Sequence, residues 1–161
     1  IAIISDIHGN LEALEITRKP CIVSEFLDAV AVDMRILADT KNKKLQISKD
    51  IPIGNYQLDT ESYSRVIENI FQNAIRFAYK KISLSWSITN KKLITCIADD
   101  GPGFATEILK RTKHMVLSSG DEHIGMGLTI SEILCQKHGG TIKLSNHNAG
   151  GAVVQFTFDL K

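Results

Sequence analysis

The sequence predicts an α/β domain in which helices pack on a β-sheet, and two observations predict this class. In residues 59–78, apolar residues recur at i, i+3, i+4 and i+7, which is the period of an amphipathic helix. In residues 82–89 and 93–98, apolar and polar residues alternate, which is typical of half-buried strands. With 161 residues, 43% of them hydrophobic, the chain can build one globular core.

Composition excludes several functional classes. A net charge of +1 gives no basic field for binding nucleic acid. Cys21, Cys96 and Cys135 are widely spaced in apolar sequence, which indicates reduced thiols and neither a disulfide framework nor a metal cluster. No apolar run approaches the roughly 20 residues of a membrane span. We therefore expect a cytoplasmic domain, whose longer parent protein could still be anchored in a membrane.

The start of the chain carries a motif of its own. Residues 1–4 predict a short buried strand, and Asp6-Ile7-His8-Gly9-Asn10 follows it. This motif resembles the first motif of calcineurin-like metallophosphoesterases, in which the matching Asp6 and His8 would bind a metal. The rest of the sequence lacks the further ligands of a two-metal site. We therefore interpret residues 1–23 as a segment of uncertain origin, a fusion scar or a linker, and place the main domain at residues 24–161.

The main domain is expected to begin with a helix for which Ser24 is the N-cap. Short strands are expected at residues 45–48 and, after a turn, at residues 53–58. The residues predicted on the apolar side of the first helix are Phe26, Leu27, Val30, Met34, Ile36 and Leu37.

The helix predicted at residues 59–78 has polar side chains along one flank. Asp59 is its expected N-cap. Asn69 and Asn73 are one turn apart and Arg76 follows, so the three side chains lie beside the apolar stripe. Each asparagine costs a helix roughly a few tenths of a kcal/mol relative to alanine. These residues are either a solvated surface or part of a binding site.

An acidic residue follows the strand predicted at residues 93–98. Asp99 stands at its end, and Gly101 and Gly103 come next in Asp99-Asp100-Gly101-Pro102-Gly103. Two residues without Cβ atoms would let a flat or phosphorylated ligand approach the backbone. An ordinary surface turn is the alternative interpretation.

A second glycine pair, in Gly125-Met126-Gly127-Leu128, is expected to open a helix that runs to His138 and ends at Gly139-Gly140. Paired glycines at a helix start would let phosphate oxygens reach free backbone N–H groups. Residues 113–123 before them are polar and predicted to be mobile. Strands at residues 141–145 and 153–158 are expected to close the domain as a hairpin.

In this order, the asparagine, aspartate–glycine and glycine motifs resemble the N, G1 and G2 boxes of the GHKL superfamily. The chain is most similar to the catalytic ATP-binding (HATPase_c) domain of sensor histidine kinases, over roughly residues 24–161. The resemblance implies a two-layer α/β sandwich of the Bergerat type, with a mixed sheet packed on about three helices.

The resemblance also implies roles for the motif residues. Asp99 would accept a hydrogen bond from the adenine amino group, and Arg76 would pair with a phosphate. Asn69 and Asn73 are the implied catalytic residues, with Asn73 coordinating Mg²⁺; ATP and Mg²⁺ are the implied cofactors. Residues 113–124 would form a lid. The other residues implied in nucleotide binding are Gly101, Gly103, Gly125, Met126, Gly127 and Leu128.

The implied activity is transfer of the ATP γ-phosphoryl to a histidine on a separate dimerisation domain. The parent would be a homodimeric kinase acting on a response regulator. The ATPases of this superfamily carry, where Asn69 stands, a glutamate that activates the attacking water. Its absence here favours transfer over hydrolysis. Glu68 is adjacent, but it lies about 100° round the helix and is expected to point elsewhere. No phosphoacceptor motif precedes Ser24, so we expect no self-phosphorylation. A GHKL-type ATPase or serine kinase, a non-catalytic nucleotide-binding module and a metallophosphoesterase remnant are the alternatives.

Overall fold

A computed structural model describes residues 16–111 and 122–161 of the chain. The N-terminal motif with Asp6 and His8, and residues 113–121 of the expected lid, lie outside the described residues. The elements in chain order are β1 (Lys19–Ile22), α1 (Val23–Thr40), β2 (Lys44–Asp50), β3 (Asn55–Leu58), α2 (Thr60–Phe77), β4 (Lys81–Thr89), β5 (Lys92–Asp99), α3 (Thr106–Arg111), α4 (Glu122–Lys137), β6 (Ile142–Asn146) and β7 (Ala152–Asp159).

A five-stranded sheet with the order β2-β4-β5-β7-β6 forms one layer. Strands β2 and β4 are parallel, whereas the other neighbours are antiparallel, so the sheet is mixed. A second, two-stranded sheet joins β1 to β3. The predicted α/β class with a mixed sheet against helices is confirmed. Among the described residues the helices number four, because the six-residue α3 adds to the three long ones.

Helix α2 packs its predicted apolar stripe against the sheet, where Tyr63 and Phe71 are fully buried. From the facing strand, Trp86 donates its indole N–H to the Tyr63 hydroxyl at 2.8 Å. The same hydroxyl lies 2.7 Å from Thr95 Oγ1. The buried polar side chains of Tyr63, Trp86 and Thr95 are thus paired with one another.

Asp59 caps α2 as predicted, because its Oδ1 accepts the N–H of Ser62 at 3.0 Å. Its Oδ2 accepts the N–H of Thr17 at 3.1 Å and lies 3.6 Å from Nε2 of His138. The His138 ring is buried and stacks on Phe158 with 4.9 Å between ring centroids. Burial lowers the pKa of His138, although the neighbouring carboxylate partly opposes this shift.

Two expectations for α1 are wrong. The helix begins at Val23 directly after β1, so Ser24 lies inside it and Ile22 occupies the cap position without a side-chain hydrogen bond. Ile36 is 59% exposed, because it lies about 200° around the helix from the buried Met34.

Several strand and turn predictions match the structure. Residues 82–89 and 93–98 fall within the antiparallel hairpin of β4 and β5, whose turn residues Asn90 and Lys91 have positive φ. The predicted glycine C-cap of α4 is also present, with Gly139 at a φ of 71°. None of the helices in the described part of the chain is long and apolar enough to cross a membrane.

Candidate functional site

A cavity of about 210 Å³ opens between α2 and the ends of β5 and β7. Its walls are mostly apolar, and the polar side chains in them are those of Asn73 and Asp99. A flat, largely apolar ligand with a polar edge fits such a lining. The lining residues are Ile70, Asn73, Ala74, Phe77, Ile97, Asp99, Pro102, Gly103, Phe104, Ala105, Ile108, Leu128, Ala152 and Val154.

Asp99 stands at the end of β5 with its carboxylate half-buried in the cavity wall. Its Oδ1 accepts the N–H of Gly101 at 2.8 Å and that of Ala152 at 3.4 Å. Within residues 16–111 and 122–161, Oδ2 accepts no hydrogen bond. Burial raises the pKa of Asp99, and the two N–H donors oppose this rise without cancelling it. One carboxylate oxygen is therefore fixed by the protein and the other is available to a ligand.

Two glycines around Asp99 are required by the protein backbone itself. A Cβ at Gly101 would lie 2.2 Å from the carbonyl oxygen of Phe77, and Gly101 does not line the cavity. The missing Cβ at Gly101 therefore makes room for the end of α2, and nucleotide binding by Gly101 stays a prediction. At Gly151, a Cβ would lie 1.9 Å from the carbonyl oxygen of Asp99.

The neighbouring Asp100 is partly exposed and lies outside the cavity lining. Its carboxylate accepts the N–H groups of Tyr79 at 2.8 Å and Lys80 at 3.0 Å. Its slight burial would raise its pKa, but these backbone donors outweigh that effect and hold the pKa below its ordinary value. The two adjacent carboxylates thus have different surroundings, one facing the cavity and the other fixing a turn.

The polar side chains on the flank of α2 line two different openings. Asn73 lines the cavity, and the half-buried Asn69 lies one turn before it. Arg76 is exposed and lines a wider cleft of about 700 Å³, which also includes Asn73 and two lysines, Lys41 and Lys43. Glu68 is exposed, outside both linings.

Helix α4 begins at Glu122, so Gly125 and Gly127 are its fourth and sixth residues. Only the first four N–H groups of a helix lack a partner inside it, so the expectation that both glycines open the helix is wrong. A glycine costs a helix about 1 kcal/mol, which packing of α4 against α2 can offset. Within residues 16–111 and 122–161, a Cβ at Gly127 would meet Asn69 Cβ alone, at 4.0 Å, so the described residues leave space beside Gly127. Leu128 lines the cavity, and the Met126 side chain lies outside the described residues.

The side chains around the cavity fit a metal ion that takes most of its ligands from substrate phosphates and water. In the described part of the chain, no three His, Cys, Asp or Glu side chains form a group that could hold a metal ion. Mg²⁺ is commonly bound by one or two protein oxygens together with substrate phosphates and water. The amide oxygen of Asn73 at the cavity wall is compatible with that arrangement.

A family model described as histidine kinase-, DNA gyrase B- and HSP90-like ATPase matches residues 58–161. The chain belongs to this ATPase family. The match includes α2, the Asp99 loop and α4, which together surround the cavity.

Individual relatives of the chain are sensor kinases. The sensor protein KdpD of Clostridium acetobutylicum is 28% identical over 124 residues, which are 72% of this chain and 14% of KdpD. The catalytic domain of histidine kinase ThkA matches with a TM-score of 0.76 and 20% identity, over 90% of this chain and 97% of that one. Full-length ShkA in complex with AMPPNP matches with a TM-score of 0.78 and 23% identity, over 95% of this chain and 34% of that one. The chain spans less than a third of the curated sensor proteins it matches.

Sequence reasoning missed several residues of this ATPase-family site. The aromatic and aliphatic walls, such as Phe104 and Val154, carry no motif that separates them from ordinary core residues. Ala152 was recognised only as part of a hairpin, although its N–H contacts Asp99. Asn146 was not identified at all. The indirect signal in the sequence is the glycine at position 103, which adopts a φ of 81° that other residues rarely adopt and which marks a turn beside the cavity.

Proposed function

We propose that this chain is the ATP-binding catalytic domain of a sensor histidine kinase. It transfers the γ-phosphoryl group of Mg²⁺-ATP to a histidine on a separate dimerisation domain. The observation that carries this proposal is Asp99, which lines an apolar cavity in a member of an ATPase family and has one carboxylate oxygen that accepts no hydrogen bond from the described residues. The sensor-kinase relatives and the AMPPNP bound to ShkA support it.

Asp99 selects adenine in this proposal. Its Oδ1 is held by the N–H groups of Gly101 and Ala152, so Oδ2 points its lone pairs at the adenine amino group. The apolar walls, including Ile97 and Val154, remove the ring from water. Guanine would present a carbonyl oxygen where adenine has its amino group, and two acceptors repel.

The polar flank of α2 orients the phosphates. Asn73 would hold Mg²⁺ through its amide oxygen, with Asn69 beside it, and the ion supplies neutralisation of the charge that develops on the phosphates during transfer. The long side chain of Arg76 reaches a phosphate from the neighbouring cleft. The space that the described residues leave beside Gly127 would admit phosphate oxygens close to the start of α4.

Transfer to an acceptor is favoured over hydrolysis. Hydrolysis needs a base that positions water, and Glu68 is exposed outside the cavity. The acceptor is a histidine of the dimerisation domain in a homodimeric parent, which then passes the phosphoryl group to a response regulator in the cytoplasm, where ATP is available. We also propose that the domain begins ahead of residue 24, since β1 pairs with β3 and Thr17 binds Asp59.

Calorimetric titration of ATP, ADP and GTP, with and without Mg²⁺, tests the proposal. Adenine nucleotides are expected to bind with micromolar to millimolar dissociation constants, and GTP at least tenfold more weakly. Failure to bind any adenine nucleotide would overturn the proposal. Steady ATP hydrolysis that stops in Glu68→Gln would favour a hydrolase instead. Radiolabelled phosphoryl transfer to a dimerisation domain supplied in trans, lost in Asn73→Ala, is the expected signature of the kinase.

A further inference from the structure

The side chain of Asn146, the last residue of β6, pairs with the main chain of Phe104. The Phe104 N–H donates to Oδ1 of Asn146 at 2.8 Å, and Nδ2 of Asn146 donates to the Phe104 carbonyl oxygen at 2.9 Å. Forty-two positions separate the two residues in the chain. The carboxamide thus supplies the donor and the acceptor that a neighbouring strand would otherwise give to this backbone.

The segment held in this way is a wall of the nucleotide cavity. Residues 102–105 all line the cavity, and they belong to neither a helix nor a strand. For the main chain of residues 102–104, the hydrogen bonds made within the described residues are those to Asn146. Ala105, at the other end of the wall, is held by the following helix, because its carbonyl oxygen accepts the N–H of Ile108 at 3.0 Å. Within the described residues, the Asn146 side chain therefore supplies the hydrogen bonds that attach residues 102–104 to the sheet.

Gly103 gives a second contact between the same two segments. Its φ is 81°, in the left-handed region, and a Cβ there would lie 2.9 Å from Oδ1 of Asn146. The absence of a side chain at Gly103 is what lets the Asn146 carboxamide lie against the loop and reach Phe104.

Asn146 is also connected to the adenine-binding acid. Its main chain stands opposite Ala152 in the β6–β7 pair, and the Ala152 N–H lies 3.4 Å from Oδ1 of Asp99. The β6–β7 hairpin thus contacts both residues 102–105 and Asp99. It therefore fixes the distance between them, which is the space that an adenine ring must fit.

We infer that Asn146 is a positioning residue for nucleotide binding, which holds residues 102–105 in the conformation that completes the cavity. This inference rests on the proposed function. When the two hydrogen bonds are lost, the loop samples open conformations. The apparent affinity for the nucleotide then falls in proportion to the fraction of molecules in which the loop is closed. Two hydrogen bonds of ordinary strength predict about tenfold weaker binding.

The experiment is calorimetric titration of ADP into the wild type and three variants. Asn146→Ala is expected to bind ADP about tenfold more weakly. Asn146→Asp is expected to recover part of this loss, because its carboxylate still accepts the Phe104 N–H. Asn148→Ala, in the exposed turn of the same hairpin, is the matched control and is expected to stay within about twofold of the wild type.

Hydrogen exchange of the nucleotide-free protein supplies a readout that general destabilisation would not give. In Asn146→Ala, the Phe104 amide is expected to exchange faster while the amides of β5 keep their wild-type rates. An unchanged Phe104 rate, or a uniform rise across the sheet, overturns the inference. If the wild type binds ADP and Asn146→Ala binds it equally well, the inference is overturned and the proposed function stands. If the wild type binds no ADP, both the proposed function and the inference are overturned.

Discussion

Replacing Asp99 with asparagine is expected to weaken adenine nucleotide binding by about a hundredfold. Asparagine keeps an oxygen for the N–H groups of Gly101 and Ala152, but it places an NH₂ donor opposite the adenine amino group. A hydrogen bond to a charged group contributes about 1.5–3 kcal/mol, and an unpaired buried donor costs roughly 1 kcal/mol more. A total near 3 kcal/mol corresponds to about a hundredfold in the dissociation constant.

The same substitution is expected to leave stability intact or to raise it at pH 7. Because burial raises the pKa of Asp99, the folded state binds a proton more tightly than the unfolded state, whose pKa is about 3.8. Stability therefore falls as the pH rises from 3.8 through the raised pKa, and a neutral side chain avoids this loss. The expected result is thus a loss of affinity with an unchanged or raised melting temperature, which unfolding of the variant could not produce.

The assay is calorimetric titration of Mg²⁺-ADP, with the melting temperature measured on the same samples. Asp100→Asn is the matched control, since Asp100 lies outside the cavity and fixes the turn at Tyr79 and Lys80. Its affinity is expected to stay within about threefold of the wild type, as for a surface substitution away from the site. Unchanged affinity in Asp99→Asn, or an equal loss in Asp100→Asn, would refute the reasoning.

Further predictions concern glycines and buried polar groups. Gly101→Ala should lower the melting temperature, since its Cβ would lie 2.2 Å from the Phe77 carbonyl oxygen. Gly127→Ala should raise urea stability by up to about 1 kcal/mol yet weaken ADP binding; unchanged binding would show that no ligand approaches there. The unfolding free energy should fall as the pH drops below 6.5, because burial lowers the pKa of His138, and urea titrations of His138→Gln should show a smaller fall. Tyr63→Phe should cost about 1–3 kcal/mol in the same assay, by unpairing a buried indole N–H, and no loss would contradict that pairing.

Sequence alone predicts elements whose local signals agree. Helix α2 has a continuous apolar stripe and a side-chain cap at Asp59, so pattern and capping lead to the same boundaries. Helix α1 was less well predicted, because β1 leads straight into it and no cap marks its start. Ser24, which looks like a cap, instead accepts a hydrogen bond from Lys49 Nζ at 3.0 Å. Such a contact depends on where β2 lies, which local sequence does not fix.

The candidate site also contains some residues that the sequence predicts and others that it does not. The resemblance to the GHKL boxes implies that Asp99 and Asn73 belong to one site, and both line the cavity. The partners of Gly101 and Gly151 are backbone carbonyl groups, which leave no mark in a sequence. The contact between Asn146 and Phe104 depends on the register of β6 against β7, so it could not be predicted before the strands were paired.

The position of β5 inside the sheet has a consequence for the kinetics of nucleotide exchange. This strand is paired with β4 on one side and β7 on the other along nearly its whole length. A strand paired on both sides separates only when much of the sheet opens, which is rarer than the motion of a loop. We therefore expect Asp99 to stay in place while a nucleotide enters and departs. Mutations that stabilise the core should slow unfolding and leave the dissociation rate of ADP, measured by stopped flow, unchanged.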